Sequence, residues 1–235
     1  MEYIAKNLAE IRSRIAAAAA KSGRKAEDIT LVAVTKTVDA ERIKEAIRLG
    51  VTDLGENRVQ EMVQKDGVNG EIPIKWHMIG HLQRNKVRDV LERADLIHSL
   101  DSVRLAEEIQ KNAEKMGIIA DVLIEINIAH ESSKFGVEPK DAVDFANELE
   151  KFGNIRLRGL MCVAPFVGNA EENREYFRQM RKIFIDIREK DVYTRNMNIW
   201  NMNILSMGMS NDYEIAIEEG ANMVRIGTSI FGNRQ

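Results

Sequence analysis

The chain has 235 residues, 34 of them Lys or Arg and 37 Asp or Glu, with a net charge of −3 and one cysteine. That length can bury the core of one α/β barrel or of two smaller domains. The slightly acidic balance excludes the electrostatic footprint of a nucleic-acid or membrane-surface binder, and a lone Cys162 excludes an intramolecular disulfide. The expectation is a cytoplasmic protein with a small, soluble partner. The amino terminus lacks a signal-peptide pattern, and no apolar run approaches a membrane span.

The chain opens with a helix in which Ile4, Leu8, Ile11 and Ile15 recur at helical spacing and Ala16 to Ala20 continue the pattern. A β-branched run, Leu31 to Lys36, reads as a buried parallel strand with a lysine at its exit. Asp39 then caps a helix carrying Ile43, Ala46 and Ile47, closed by Gly50. The same grammar repeats with strands at Val51 to Gly55, Lys75 to Gly80, Leu96 to Leu100, Val122 to Asn127, Leu157 to Cys162, Ile204 to Gly208 and Met223 to Gly227. Asp101 is the expected cap of the helix after the fourth strand, and Pro139 starts the helix after the fifth. Tyr193 to Asn203, rich in asparagine and methionine, reads as a loop. Eight strands alternating with helices predict a single α/β domain over 1–235, a (β/α)8 TIM barrel with an additional N-terminal helix.

In such a barrel the chemistry belongs at the carboxyl ends of the strands, where Lys36, Asn57, His81, Ser206 and Arg225 fall. Asn57 could instead cap its helix, and Glu56 and Arg84 read as solvated charges. His77, His81, His98 and His130 are too scattered for a metal site. Cys162, in an apolar run, reads as a buried structural thiol.

Ser206-Met207-Gly208-Met209-Ser210 after strand seven and Gly227-Thr228-Ser229 after strand eight form the pair of loops from which barrels build a phosphate grip. Ser210 or Asn211 could alternatively cap the following helix. Strand eight neighbours strand one, so this grip lies beside Lys36. A lysine there, desolvated and near Arg225, favours a neutral amine that attacks a carbonyl. The expected ligand is a small phosphorylated carbonyl compound held as a Schiff base.

Several motifs carry a resemblance that runs nearly end to end. They are Ala33 to Lys36, Gly55 to Glu61, Trp76 to Lys86, Leu205 to Glu214 and Arg225 to Thr228. Together they resemble the pyridoxal-phosphate homeostasis proteins, the YggS/PROSC type. The resemblance implies an alanine-racemase-like barrel of fold-type III that holds pyridoxal 5′-phosphate (PLP) on Lys36. The phosphate would lie in the Ser206 to Ser210 and Gly227-Thr228 loops, with Arg225 as partner of the pyridine nitrogen and Asn57 and His81 in the surroundings. It implies a carrier or regulator that serves PLP-dependent apoenzymes, and a closed barrel, with no exposed sheet edge to force association, predicts a monomer. The family often ends in additional basic residues where this chain has Asn233-Arg234-Gln235, so tail-dependent behaviour is not expected here.

Two enzyme readings compete. A fold-type III racemase or decarboxylase would use a barrel-end lysine and a second acid/base, but those enzymes carry a β-rich domain that Gly232 to Gln235 does not supply. A Schiff-base aldolase would use Lys36 and the phosphate grip without a bound cofactor. A non-enzymatic scaffold is the third reading. Lys134, in Ser132-Ser133-Lys134-Phe135-Gly136, and Lys86 are candidates for a second PLP site, or simply solvated lysines.

Overall fold

A computed structural model describes residues 2–131, 134–191 and 200–232, with the backbone alone for Lys190, Asp191 and Trp200. An N-terminal helix, α1 (Glu2–Lys21), precedes eight parallel strands that close into a barrel in sequence order. The strands are β1 (Thr30–Val34), β2 (Asp53–Glu56), β3 (Lys75–Met78), β4 (Leu96–Leu100), β5 (Ala120–Ile126), β6 (Ile155–Cys162), β7 (Trp200–Ser206) and β8 (Met223–Ile226). The helices between them are α2 (Ala40–Arg48), α3 (Val59–Gln64), α4 (Val87–Leu91), α5 (Val103–Met116), α6 (Ala142–Glu148), α7 (Arg174–Asp191) and α8 (Tyr213–Glu218). A single turn, α9 (Thr228–Phe231), follows β8.

The strands are mostly apolar because both of their faces are covered, with a few buried polar residues among them. Val32, Leu96, Leu123, Met161 and Met223 pack together inside the barrel, and a separate, larger cluster fills the space between barrel and helices. α1 buries Ile4, Leu8, Ile11 and Ile15 and packs against α8 and α9, where Asn7 donates to the Ile230 carbonyl at 3.0 Å. Burying four such side chains stabilises the fold by roughly 6–12 kcal/mol before chain entropy is charged against it. Among the described residues no helix is long and apolar enough to cross a membrane.

β6 and β7 approach each other closely at one glycine. A Cβ on Gly159 would sit 1.7 Å from the Ile204 carbonyl oxygen of β7, so only glycine allows the two backbones to approach, and the register of β6 shifts on either side at this point.

Several boundaries differ from the sequence expectation. β1 ends at Val34, so Lys36 stands in a turn beyond the strand. β2 begins two residues later than expected and includes Glu56. Trp200 to Asn203, expected as loop, belongs to β7, where Trp200 pairs with Leu157; asparagines at alternate positions are tolerated on a strand that starts at the barrel mouth. The remainder of that stretch, 193–199, lies outside the described residues. Asp39 does cap α2, accepting from the Arg42 N–H at 3.0 Å. Asp101 does not cap α5; Ser102 holds the N-cap position, and Asp101 faces His81 instead.

Candidate functional site

Register brings the ends of the chain together. Val32 of β1 lies opposite Arg225 of β8, and Val34 opposite Gly55 of β2. The loops leaving β1 and β8 are therefore neighbours at the carboxyl mouth. Thr35 continues the ladder, its N–H donating to the Gly55 carbonyl at 2.9 Å, before the chain turns through Thr37 at φ 60°. A β-branched residue with positive φ is costly and needs outside support.

Glu61, Lys65 and Glu56 supply that support. The Thr37 N–H donates to Glu61 at 2.8 Å, and the Lys65 ammonium donates to the Thr35 carbonyl at 2.7 Å, to Glu56 at 2.6 Å and to Glu61 at 3.2 Å. The Thr35 hydroxyl donates to Glu56 at 2.6 Å. Glu56, expected to be solvated, is fully buried; a lysine and a threonine hydroxyl within reach make that burial tolerable. Burial still raises its pKa, outweighing the lowering by Lys65 and Thr35. This acid–lysine brace fixes the two residues flanking Lys36.

Lys36 opens on a cavity of about 540 Å³. From the opposite wall come Met209, Ser210, Asn211 and Asp212, from the β8 side Arg225, Gly227 and Thr228, and from the loop after β6 Pro165, Phe166 and Val167. Gly208 has φ 92°, and a Cβ there would lie 2.6 Å from that of Ala216, so the loop hugs α8 only because the residue is glycine. Asp212 ties the loop down from behind: its carboxylate accepts the Met209 N–H at 2.7 Å and the Asn173 amide at 2.8 Å. Asp212, not Ser210 or Asn211, is the N-cap residue of α8. The N–H groups of Ser210 and Asn211 have no backbone acceptor among the described residues. Two cationic side chains, free backbone donors and a glycine-lined wall together suit a small anion bearing a reactive carbonyl.

Arg225 is almost wholly buried in the barrel and forms no ion pair among the described residues. One guanidinium nitrogen donates to Ser206 Oγ at 2.7 Å and another to the Cys162 carbonyl at 2.8 Å. Burial lowers its pKa, yet a guanidinium stays charged, so the mouth of the barrel holds a permanent cation. Cys162 is fully buried and its thiol is pushed up to about 12 by that burial, in keeping with a structural role. Glu125 of β5 is pushed up to about 7, first by burial and then by the Asp101 charge, against the pull of Arg225.

Of the expected site residues, Lys36, Ser210, Arg225, Gly227 and Thr228 line the one cavity. Ser206, Met207 and Gly208 lie behind its wall, and Ser206 is fully buried with its hydroxyl committed to Arg225 and His98. Asn57 is half-buried, and its backbone packs so closely on Gly80 that a Cβ there would lie 2.3 Å from its carbonyl oxygen; Arg58 takes the N-cap position of α3. His81 is exposed, stacked on Phe135 with ring centroids 3.7 Å apart and 3.3 Å from Asp101. Lys134 is paired with Glu131 at 2.7 Å; Ser132, Ser133 and Asn233 to Gln235 lie outside the described residues. No cluster of three potential metal ligands occurs among the described residues. Sequence reasoning missed Thr37, Asn173 and Asp212 in the wall and His77, His98 and Glu125 inside the barrel; polar residues interrupting the runs Trp76-His77-Met78, Ile97-His98-Ser99 and Ile124-Glu125-Ile126 were the available signal.

The family model for "Alanine racemase, N-terminal domain" matches residues 6–235. The pyridoxal phosphate homeostasis protein of Aquifex aeolicus is 42% identical over 228 residues, covering 97% of each chain. That of Escherichia coli K12 is 42% identical over 242 residues, covering 100% of this chain and 98% of the relative. Among solved structures, PipY of Synechococcus elongatus PCC7942 with PLP bound superposes with a TM-score of 0.82 at 33% identity, covering 97% of this chain and 100% of PipY. An alanine racemase from Clostridium difficile shares the fold at TM-score 0.72 and 20% identity, and this chain spans 57% of that enzyme.

Proposed function

Since the chain belongs to the pyridoxal phosphate homeostasis protein family, we propose that it is a cytoplasmic, monomeric carrier or regulator that binds PLP at Lys36 and exchanges it with PLP-dependent apoenzymes. The observation that carries the reading is the single cavity joining Lys36, Arg225 and the loops after β7 and β8. PLP supplies an aldehyde that condenses with a lysine amine and a ring that can withdraw electrons from the adduct. The residues suit it: Lys36 offers the amine, the Ser210-Asn211 and Gly227-Thr228 backbones offer donors to a phosphate, and Arg225 offers a cation to the ring nitrogen.

Arg225 also favours holding over catalysis. A permanent cation beside the pyridine nitrogen opposes its protonation, and an unprotonated ring is a weak electron sink. The Arg225 charge is undiminished by any acid partner within ion-pair distance among the described residues. The brace of Glu56, Glu61 and Lys65 keeps the Lys36 turn in place, and Asp212 with Asn173 keeps the phosphate loop in place. Asn57 and His81 contribute to the surroundings of the site rather than to its walls.

The test is a pair of assays on the PLP-loaded protein. Incubation with L-alanine and other L-amino acids is expected to yield no accumulating D-enantiomer, and addition of a PLP-free aminotransferase is expected to restore that enzyme's activity. Steady multiple-turnover racemization would replace the carrier reading with an enzymatic one.

A further inference from the structure

Below Arg225 a continuous chain of hydrogen bonds crosses the barrel. It runs from Arg225 to Ser206 Oγ (2.7 Å), to His98 Nδ1 (3.2 Å), from His98 Nε2 to His77 Nδ1 (2.9 Å), and from His77 Nε2 to Asp53 (3.0 Å). The five residues come from β8, β7, β4, β3 and β2, and all are buried. Thr52 donates to the other Asp53 oxygen at 2.7 Å. Asp53 and His77 border a second cavity, of about 610 Å³, at the amino-terminal mouth of the barrel, where Lys75, Arg156 and Arg158 also stand.

The direction of each bond can be worked out. A guanidinium only donates, so Ser206 Oγ accepts from Arg225, and His98 Nδ1 is the one acceptor within reach of the buried hydroxyl hydrogen among the described residues. Nδ1 of His98 is then unprotonated. His98 is neutral, since burial, with His77 and Arg225 adding to it, depresses its pKa well below the usual histidine value, and its proton is therefore on Nε2. Nε2 donates to His77 Nδ1, and His77 donates from Nε2 to the Asp53 carboxylate. Every bond points from cation to anion. Reversing His77 alone sets N–H against N–H at His98, reversing His98 alone sets lone pair against lone pair at His77 and takes the acceptor from the Ser206 hydroxyl, and reversing both sets a bare nitrogen against the Asp53 carboxylate.

We propose that Ser206, His98, His77 and Asp53 form a positioning relay that spans the barrel, fixing the Arg225 guanidinium in the wall of the Lys36 cavity and linking it to the opposite mouth. The inference rests on the PLP reading above. Asp53 sets the direction: an acceptor-only carboxylate forces the His77 tautomer, His77 forces that of His98, and His98 holds the Ser206 hydroxyl so that its lone pairs face Arg225. An asparagine at 53 can present its amide N–H to His77 and permit the reversed chain, and the disturbance would arrive at Arg225 without touching it.

The experiment has two parts. In the cofactor-free protein, nitrogen-15 NMR of the imidazole rings should show His77 and His98 both as the neutral Nε2–H tautomer; a Nδ1–H tautomer or an imidazolium at either would overturn the relay. In the PLP-loaded protein, Asp53→Asn and His77→Gln should displace the visible absorption maximum and its pH midpoint and weaken PLP binding about tenfold. Leu96→Val, a packing change in the same layer, should alter none of these. Variants with lowered stability but an unchanged spectrum, midpoint and affinity would refute the relay while leaving PLP binding intact. Failure of the unaltered protein to take up PLP would refute both.

Discussion

The Lys65 ammonium donates to the main-chain carbonyl of Thr35 at 2.7 Å, so the residue that delivers Lys36 to the cavity is held by a lysine thirty positions later in the chain. The same ammonium neutralises the buried Glu56. Lys65→Met should cost about 3–5 kcal/mol, because it leaves a buried carboxylate unpaired, and it should weaken PLP uptake by loosening the Lys36 turn. Adding Glu56→Gln should recover more than half of the lost stability. Urea unfolding of the single and double variants checks both statements, and equal stability of the Lys65→Met and native proteins would contradict them.

Glu125 gives the fold a pH dependence. Its carboxyl is pushed from 4.5 up to about 7 in the folded chain, so the native state binds its proton more tightly than the unfolded state does. The resulting stabilisation is complete below about pH 4.5 and disappears as pH rises through 7. Glu125→Gln should therefore leave stability unchanged near pH 4.5 and raise it by about 1–3 kcal/mol at pH 8. Unfolding midpoints at the two pH values provide the comparison.

Gly159→Ala should be severely destabilising. The new methyl would fall 1.7 Å from a carbonyl oxygen of the adjoining strand, and the neighbour is backbone, which cannot swing aside. A loss of about 3 kcal/mol or more is expected, well above that of an ordinary exposed glycine substitution. Gly153→Ala, where nothing lies within 4 Å, is the natural control in the same denaturation series.

Cys162 should be silent in the native protein. With its thiol pushed up to about 12, only about one molecule in ten thousand carries a thiolate at pH 8, and the side chain is fully buried. Labelling by a maleimide should follow unfolding rather than reagent concentration. Rapid, concentration-dependent labelling of folded protein would contradict this.

Much of the architecture was legible in the sequence because it rests on periodicity. Apolar strands alternating with amphipathic helices announce the barrel, and the motif around Lys36 and the Ser206 to Ser210 and Gly227-Thr228 loops mark its working mouth. What could not be read depends on register across the barrel. His77 and His98 are 21 positions apart, and only the offset between β3 and β4 brings a nitrogen of each ring to 2.9 Å from the other. Glu56 looked like a surface acid because Lys65, nine residues on, reaches it only from the C-cap of α3. Ser206 looked like a phosphate ligand, but alternation along β7 turns it toward Arg225 inside the barrel. A local pattern fixes which residues are buried; closure of the sheet decides which buried polar groups meet.

The most direct measurement is borohydride reduction of the PLP-loaded protein followed by peptide mass mapping, with Lys36→Ala in parallel. The account predicts a single covalent pyridoxyl group on Lys36, a visible absorption band that disappears on reduction, and neither in the variant. A pyridoxyl group found on other lysines alone, or the same band in Lys36→Ala, would contradict it.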